Sequence, residues 1–276
     1  MRRIAITGLG IVSVLGQDLD TVSQSLQAGK SGIVASQARR DLGFASPLTG
    51  QLSGWDGGKS RLSRKLRRSM AEPAAYAAVA ALDALEHSGL DPERLKSWDV
   101  GCIMGNDSTV APSAEVAEKT RELGYTSGLG AGAIFQVMNS TVSMNLSTML
   151  GTRGANWTLS AACASGAHAL GQAHMLIGSG SQEIVVCGGA QELSWESMAA
   201  FDALGAFSSR DDQPEAACRP FAKSRDGLVP SGGGACLILE SWDHAVARGA
   251  DIHAELVSYA FSSNGGHLSC PTVEGP

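Results

Sequence analysis

The single cysteine of the stretch 158-TLSAACASGAHALGQAH-174 stands at a predicted boundary between secondary-structure elements. Asn156 to Leu159 has the character of a short strand, and the small-residue run after Cys163 has that of a helix. Unpaired N–H groups and the positive end of the helix dipole favour a thiolate at such a position. The small neighbours leave room for a substrate carbonyl and for N–H groups that stabilise an oxyanion. Cys163 is therefore a candidate nucleophile for acyl transfer, although these residues alone also fit a cysteine that packs as a small hydrophobic side chain.

The other cysteines and the charge balance exclude several classes of protein. Six cysteines occur at positions 102, 163, 187, 218, 236 and 270, with no C-x-x-C pair. This spacing predicts neither a zinc site nor a disulfide framework, and it favours reduced thiols in an intracellular protein. The 21 basic and 27 acidic residues give a formal net charge of −6, which argues against nucleic-acid binding. We expect no metal.

A buried first strand explains the apolar start of the chain better than a targeting segment does. Gly8, Gly10 and Gly16 interrupt the run MRRIAITGLGIVSVLG, and no cleavage-type stretch follows it. No segment reaches the roughly 18 to 20 uninterrupted apolar residues that a membrane span needs. We therefore expect a soluble, cytoplasmic protein that is not associated with a membrane. The GLG of residues 8–10 also lacks the third glycine and the later acidic residue of a dinucleotide-binding fingerprint.

Predicted strands alternate with predicted helices along the chain. The first strand is predicted over 3–7 with a turn at Gly8-Leu9-Gly10, and the Ala/Leu-rich run 71–88 is predicted to be a helix that ends at Gly89. Further strands are predicted over 100–104, 156–159, 183–187, 233–239 and 254–259, and further helices over 20–28, after Cys163 and over 243–249. This alternation predicts an α/β architecture with largely buried strands.

Four motifs, in the expected order and almost from end to end, resemble those of the β-ketoacyl-acyl carrier protein synthases. They are RRIAITGLGIVSVLG at the start, SAACASG around Cys163, FDALGAFS at 201–208 and RPFAKSRDGLVPSGGGACLILE at 219–240. The triple glycine after VPS is more similar to the synthase I type than to the synthase II type. The cysteine-bearing motif argues against the chain-length-factor subunits, which resemble these enzymes but lack the nucleophile.

The resemblance implies a fold and a reaction. The fold is thiolase-like, with two similar α/β halves stacked in α-β-α-β-α layers. Residues 1–250 would form the complete N-terminal half that carries the nucleophile, and 251–276 the beginning of a truncated C-terminal half. The reaction is a decarboxylating Claisen condensation, in which Cys163 takes an acyl group from acyl carrier protein and malonyl-carrier protein supplies the carbanion. The resemblance implies no cofactor, and it implies a homodimer or a heterodimer with a related synthase subunit.

The family uses two further catalytic histidines, in H-G-T and G-H-x-x-G-A-A-G motifs, and neither motif occurs in these 276 residues. His168 and His174, in the helix after Cys163, are predicted to be packing residues because neither helical offset brings the ring to the thiol. We therefore expect this chain to acylate Cys163 at most and to condense little or not at all. The alternative is a non-condensing partner subunit, or pseudoenzyme, that dimerises and holds carrier protein.

The resemblance also assigns an acyl pocket and a docking surface. The pocket residues are Ser108, Met138, Phe201, Leu228 and His267. Leu228 replaces the usual phenylalanine. His267 lies in the loop 262-SSNGGHLSCP-271, which is similar to a loop at the active-site mouth of synthase II relatives. The run 59-KSRLSRKLRR-68 carries six basic residues and no acidic one, which fits either a solvated charged surface or a landing site for an acidic partner. The family's carrier-protein docking patch matches Arg64, Lys65 and Arg68, with Arg67 beside them, and Lys119 and Arg121 would extend it.

Overall fold

The computed structural model describes residues 1–263, 265 and 266. The strands are β1 (Ile4–Val12), β2 (Ile33–Ala35), β3 (Leu48–Gly50), β4 (Val100–Gly105), β5 (Asn156–Leu159), β6 (Ile184–Gln191), β7 (Gly233–Ser241) and β8 (Ala254–Glu255). The helices are α1 (Leu19–Gln27), α2 (Gln37–Asp41), α3 (Arg64–Arg67), α4 (Glu72–Ser88), α5 (Ala111–Leu123), α6 (Ala133–Val137), α7 (Thr141–Leu150), α8 (Ser165–Gly178), α9 (Trp195–Ala203) and α10 (Trp242–Ala247). Two short 3-10 helices cover Pro92–Lys96 and Pro214–Ala216. No helix in the described part of the chain is long and apolar enough to cross a membrane.

Six strands form one mixed sheet in the order β5-β4-β6-β7-β1-β8. Strand β4 runs parallel to both β5 and β6, whereas the pairs β6–β7, β7–β1 and β1–β8 are antiparallel. All six residues of β4 are buried, as expected for a strand whose two faces are both covered. The three parallel strands end at the same edge of the sheet, and this edge holds the candidate site.

Helices cover both faces of this sheet. One core, against α4 and α7, includes Tyr76, Leu146 and Ile238; the other, against α8, includes Ile103 and Ile177. Neighbouring residues of a strand point to opposite faces, and Ile103 accordingly lies in a different core from its neighbours in β4. The predicted α/β architecture is confirmed.

The predicted turn at Gly8-Leu9-Gly10 is wrong. Strand β1 continues through these residues to Val12, with a shift in its register against β7 between Ile6 and Gly8. The glycines are there because α4 packs directly on the strand: a Cβ on Gly10 would lie 1.9 Å from the carbonyl oxygen of Ala80. These glycines are required for the close packing of α4 on the strand, and not for a turn of the chain.

Most other boundaries of helices and strands agree with those predicted from the sequence, and the differences have local causes. Strand β6 extends past the predicted end at residue 187, because Gly188 and Gly189 stay in the ladder with β7. The predicted strand 254–259 is reduced to the two residues of β8, which pair with β1. Helix α4 ends as predicted, at Gly89 with φ of +60°.

We expect Gly10→Ala to reduce the free energy of unfolding by at least about 3 kcal/mol, because the new methyl group would overlap the backbone of α4. Gly43→Ala is the matched control: its φ of +78° is strained for alanine, but no atom lies within 4 Å of the new Cβ. That control should cost only about 1 kcal/mol. Denaturant unfolding measures both variants, and equal losses in the two would contradict this account of β1.

Candidate active site

The nucleophile candidate lies at the junction that the sequence predicts. Strand β5 ends at Leu159, α8 begins at Ser165, and Cys163 is an exposed residue of the connecting turn. The carboxyl ends of β4 and β6 lie beside this turn, since β4 pairs in parallel with both neighbours. In open α/β sheets, ligands bind outside the carboxyl ends of the strands.

The start of α8 packs directly against the ends of β4 and β6. A Cβ on Gly105, the last residue of β4, would lie 2.3 Å from the carbonyl carbon of Ser165. A Cβ on Gly189 would lie 3.1 Å from the Cα of Gly166. Glycine at these strand ends therefore allows the helix, and with it Cys163, to approach the sheet at backbone distance.

Two side chains hold the turn before Cys163. Ala162 has φ of +48°, a left-handed conformation that costs a non-glycine residue roughly 1–2 kcal/mol. Ser165, which is buried, donates to the carbonyl oxygen of Ala162 at 2.6 Å and accepts from the N–H of Ala161 at 2.8 Å. On the other side, Oδ1 of Asp107 accepts from Ser160 Oγ at 2.9 Å and from the N–H of Ala162 at 3.1 Å.

Some N–H groups of the turn are already used. The N–H of Ala164 donates to Ala161 at 3.0 Å, and that of Ser165 donates to Ala162 at 3.1 Å. These two groups therefore do not supply the free oxyanion donors that the small neighbours of Cys163 suggested in the sequence. The turn uses them to keep its own shape.

Sequence reasoning missed Asn106, Asp107 and Asn139, which lie near Cys163 at the end of β4. Asn139 Nδ2 donates to the backbone oxygen of Asp107 at 2.9 Å, and Asn106 Nδ2 donates to the backbone oxygen of Asn139 at 2.9 Å. Asn106 is 1% exposed. The signal that could have found them is the Asn-Asp pair directly after a fully apolar strand, where the parallel strands end.

Two cavities, of about 1070 Å³ and about 510 Å³, meet at the thiol. Both are lined by Asp107, Ala162, Cys163 and Gln191. The larger cavity is mainly apolar, with the rings of Phe201 and Phe207 stacked at a centroid distance of 6.2 Å in its wall. A cavity of this size and polarity suits an acyl chain attached to the cysteine.

The predicted pocket residues are partly brought together. Ser108, Phe201 and Leu228 line the larger cavity with Cys163. Met138 is 40% exposed at the end of α6 and lies outside the lining of both cavities. His267 lies outside the described residues.

The two histidines of α8 make structural contacts elsewhere. His168 Nδ1 is hydrogen-bonded to the hydroxyl group of Tyr259, whose ring meets the imidazole edge to face. His174 is buried within the helix packing, at 7% exposure. Neither ring lines a cavity with Cys163, in agreement with the interpretation of both as packing residues.

The basic run forms a short helix at the surface. Arg64, Lys65 and Arg68 are exposed, whereas Arg67 is partly buried and donates through Nε to the carbonyl oxygen of Leu62 at 3.2 Å. Arg61 differs from these four residues, because it is paired with Asp83 at 2.6 Å and with Glu86 at 2.7 Å. Within the described part of the chain, the other four arginine and lysine side chains of 64–68 form no ion pair. We name Arg64, Lys65, Arg67 and Arg68 the basic cluster.

The proposed extension of the basic cluster lies on α5. Lys119 and Arg121 are both exposed, but the helix also carries acidic residues. Helix α6 packs on α5, and Gln136 of α6 donates to the backbone oxygen of Arg68 at 3.2 Å. This contact connects the end of the basic cluster to the α5–α6 pair.

The other cysteines divide by burial. Burial raises the pKa of Cys102 to about 12, and it also raises the pKa of Cys187 and of Cys236. Cys218 is exposed and lines the larger cavity. No group of three or more histidine, cysteine or carboxylate side chains within residues 1–263, 265 and 266 is arranged to hold a metal ion.

Comparisons with known proteins agree with this arrangement. The family model "Beta-ketoacyl synthase, N-terminal domain" matches residues 1–245. The 3-oxoacyl-(acyl-carrier-protein) synthase 1 of Haemophilus influenzae is 38% identical over 277 residues, which make up 100% of this chain and 68% of that protein. The crystal structure of a beta-ketoacyl synthase from Burkholderia phymatum matches with a TM-score of 0.89 at 34% identity, covering 98% of this chain and 66% of that one.

A second solved structure is a type II PKS acyl-carrier protein in complex with its ketosynthase. It matches with a TM-score of 0.83 at 30% identity, covering 96% of this chain and 64% of that one. These neighbours confirm the predicted thiolase-like fold. The chain spans about two thirds of the length of these relatives.

We expect iodoacetamide at pH 8 to label Cys163 and Cys218 in the folded chain and to leave Cys102, Cys187 and Cys236 unmodified. The first two thiols are exposed, whereas the other three are buried and hold their protons more tightly. Peptide mass spectrometry identifies the labelled positions, and labelling in denaturant is the control that makes all of them reactive. Equal labelling rates for Cys187 and Cys163 in the native chain would contradict the structure.

Proposed function

Because the chain belongs to the β-ketoacyl synthase family, we propose that Cys163 accepts an acyl group as the first step of 3-oxoacyl-acyl carrier protein synthesis. The observation that carries this proposal is the exposed thiol at the start of α8, which opens into a mainly apolar cavity. An acyl chain bound to that thiol would lie along Phe201 and Phe207.

The proposed acylation is a thioester exchange. The thiolate of Cys163 attacks the carbonyl carbon of an acyl thioester, and the positive end of the α8 dipole stabilises the negative charge that develops on the carbonyl oxygen. The tetrahedral intermediate collapses, the bond to the carrier sulfur breaks, and the carrier thiolate leaves and takes up a proton. The acyl group remains on Cys163 as a new thioester.

The proposed second step is the decarboxylating condensation implied by the family resemblance. Malonyl-carrier protein loses carbon dioxide, and the resulting carbanion attacks the carbonyl carbon of the acyl-Cys163 thioester. The carbon–carbon bond forms as the thiolate of Cys163 leaves. The two histidine motifs that the family uses for this step do not occur in the 276 residues, so we expect these residues by themselves to carry out acylation and little condensation.

The acyl donor is proposed to be an acyl carrier protein that docks on the basic cluster. Carrier proteins are acidic, and the side chains of Arg64, Lys65 and Arg68 are exposed on α3. Complementary charge increases the association rate and orients the partner, and salt weakens both effects. One similar structure contains an acyl-carrier protein with its ketosynthase, which supports this choice of partner.

Pairing of two chains stays a prediction, for which the half-exposed edge strand β5 offers a surface. The similar proteins do not support the alternative of a non-condensing subunit, and we do not propose it.

We expect an acyl-pantetheine thioester to add one acyl group to the chain at Cys163, as measured by intact-protein mass and located by peptide sequencing. Cys163→Ala should abolish this adduct, because the nucleophile is removed. Cys218→Ala controls for labelling of the second exposed thiol and should keep the adduct. Acylation that persists in Cys163→Ala would refute the proposed role, and abundant 3-oxoacyl product after addition of malonyl-carrier protein would refute the argument from the missing histidine motifs.

We expect the double variant Lys65→Glu, Arg68→Glu to bind acyl carrier protein about tenfold or more weakly at low salt, because attraction is replaced by repulsion. The matched control is Lys30→Glu, Lys96→Glu, which makes the same change in net charge at positions outside the basic run 59–68. Fluorescence anisotropy with labelled carrier protein measures both affinities. If the two double variants lose affinity equally, the basic cluster is a solvated surface and not a docking site.

A further inference from the structure

We propose that Asp107 is a positioning residue for Cys163: its carboxylate holds the turn 160–162 in the conformation that presents the thiol to the two cavities. The inference deepens the proposed acyl transfer and rests on it. Asp107 follows β4, lines both cavities and lies 55 residues from Ala162 in the chain.

The turn needs an external partner because Ala162 has no means of stabilising its own conformation. Within the described residues, Ala162 and Phe221 are the non-glycine residues with positive φ. Asparagine or aspartate at such a position can hydrogen-bond its own backbone, whereas the methyl side chain of alanine cannot. Oδ1 of Asp107 supplies the acceptor, with the N–H of Ala162 at 3.1 Å and the hydroxyl group of Ser160 at 2.9 Å.

Asp107 is itself held firmly with respect to the turn. The ladder between β4 and β5 ends with Gly105 opposite Leu159, and the N–H of Asn106 donates to the carbonyl oxygen of Leu159 at 3.0 Å. Asn139 then donates to the backbone oxygen of Asp107 at 2.9 Å. The backbone of Asp107 is therefore fixed at the end of β4. The two hydrogen bonds of its carboxylate then fix the turn relative to that strand.

Asp107 acts on the turn as a hydrogen-bond acceptor, and its charge is not needed for this role. A negative charge beside a thiol disfavours the thiolate, so a role through charge alone would oppose the nucleophile. Proton transfer from Cys163 to the carboxylate is a different role, and it would require an ionisable side chain at 107. Asparagine separates these possibilities, because it keeps an Oδ1 acceptor and has no proton-accepting carboxylate.

The test compares Asp107→Ala with Asp107→Asn in two reactions of Cys163. Acylation by an acyl-pantetheine thioester depends on how the thiol is oriented, whereas alkylation by iodoacetamide depends mainly on how reactive it is. For Asp107→Ala we expect the acylation rate constant to fall about tenfold or more and the alkylation rate constant to stay within about twofold of that of the unsubstituted chain, over pH 6–9. For Asp107→Asn we expect the acylation rate constant to stay within about threefold of the original value. The matched control is Asp41→Ala, which removes a carboxylate outside the two cavities and should leave both rate constants unchanged.

A second measurement does not depend on acyl transfer. Hydrogen exchange of the amides in 160–165 should be faster in Asp107→Ala and unchanged in Asp107→Asn, because only the first variant loses the acceptor of the Ala162 N–H. If the unsubstituted chain is not acylated, the proposed function fails, and this exchange pattern still tests separately whether Asp107 holds the turn.

Three outcomes would overturn the inference itself. They are acylation of Asp107→Ala at the original rate, an Asp107→Asn variant that is as slow as Asp107→Ala, and unchanged amide exchange in Asp107→Ala. If Asp107→Ala does not fold, Asp107→Asn decides alone: rapid acylation and protected amides support the positioning role, and slow acylation or faster exchange refutes it.

Discussion

The site depends on the close packing of the start of α8 against the carboxyl ends of β4 and β6. Gly105 and Gly189 lack the Cβ atoms that would separate the helix from the sheet. At backbone distance, the turn before the helix lies directly beside the polar residues that follow β4. A larger residue at position 105 would displace the helix start, and the turn, the thiol and both cavities would move with it.

The same packing brings together the features that the proposed acyl transfer requires. The proposed nucleophile would need an approach path for the thioester and space for the acyl chain, and Cys163 borders two cavities that share the turn 160–162 with it. It would also need a defined orientation, and the proposed source of that orientation is the left-handed backbone of Ala162, which Asp107 and Ser165 hold by hydrogen bonds. Strain of this kind persists in proteins only where the surroundings impose it. Orientation and accessibility therefore come from one arrangement of strand ends and helix start.

Local patterns in the sequence predicted much of the fold and the central residue of the site. The apolar run at 100–104 and the Ala-rich run at 71–88 became β4 and α4, because side-chain periodicity and helix propensity act over neighbouring residues. The glycines at 8 and 10 were misread, since a glycine that admits a helix and one that turns the chain have the same local signature. Met138 was assigned by resemblance to a pocket whose lining, in the structure, does not include it.

The sequence by itself determined that a cysteine among small residues stands between a strand and a helix, that six basic residues are concentrated in one short segment, and that these 276 residues contain neither histidine motif. These properties are local, so composition and spacing carry them. Only the tertiary structure decided that Asp107 reaches the turn at Ala162, that Phe201 and Leu228 share a cavity with Cys163, and that Arg61 is neutralised while its neighbours are not. Such contacts join residues distant in the chain, and their geometry follows from the strand order and helix packing rather than from any pattern along the sequence.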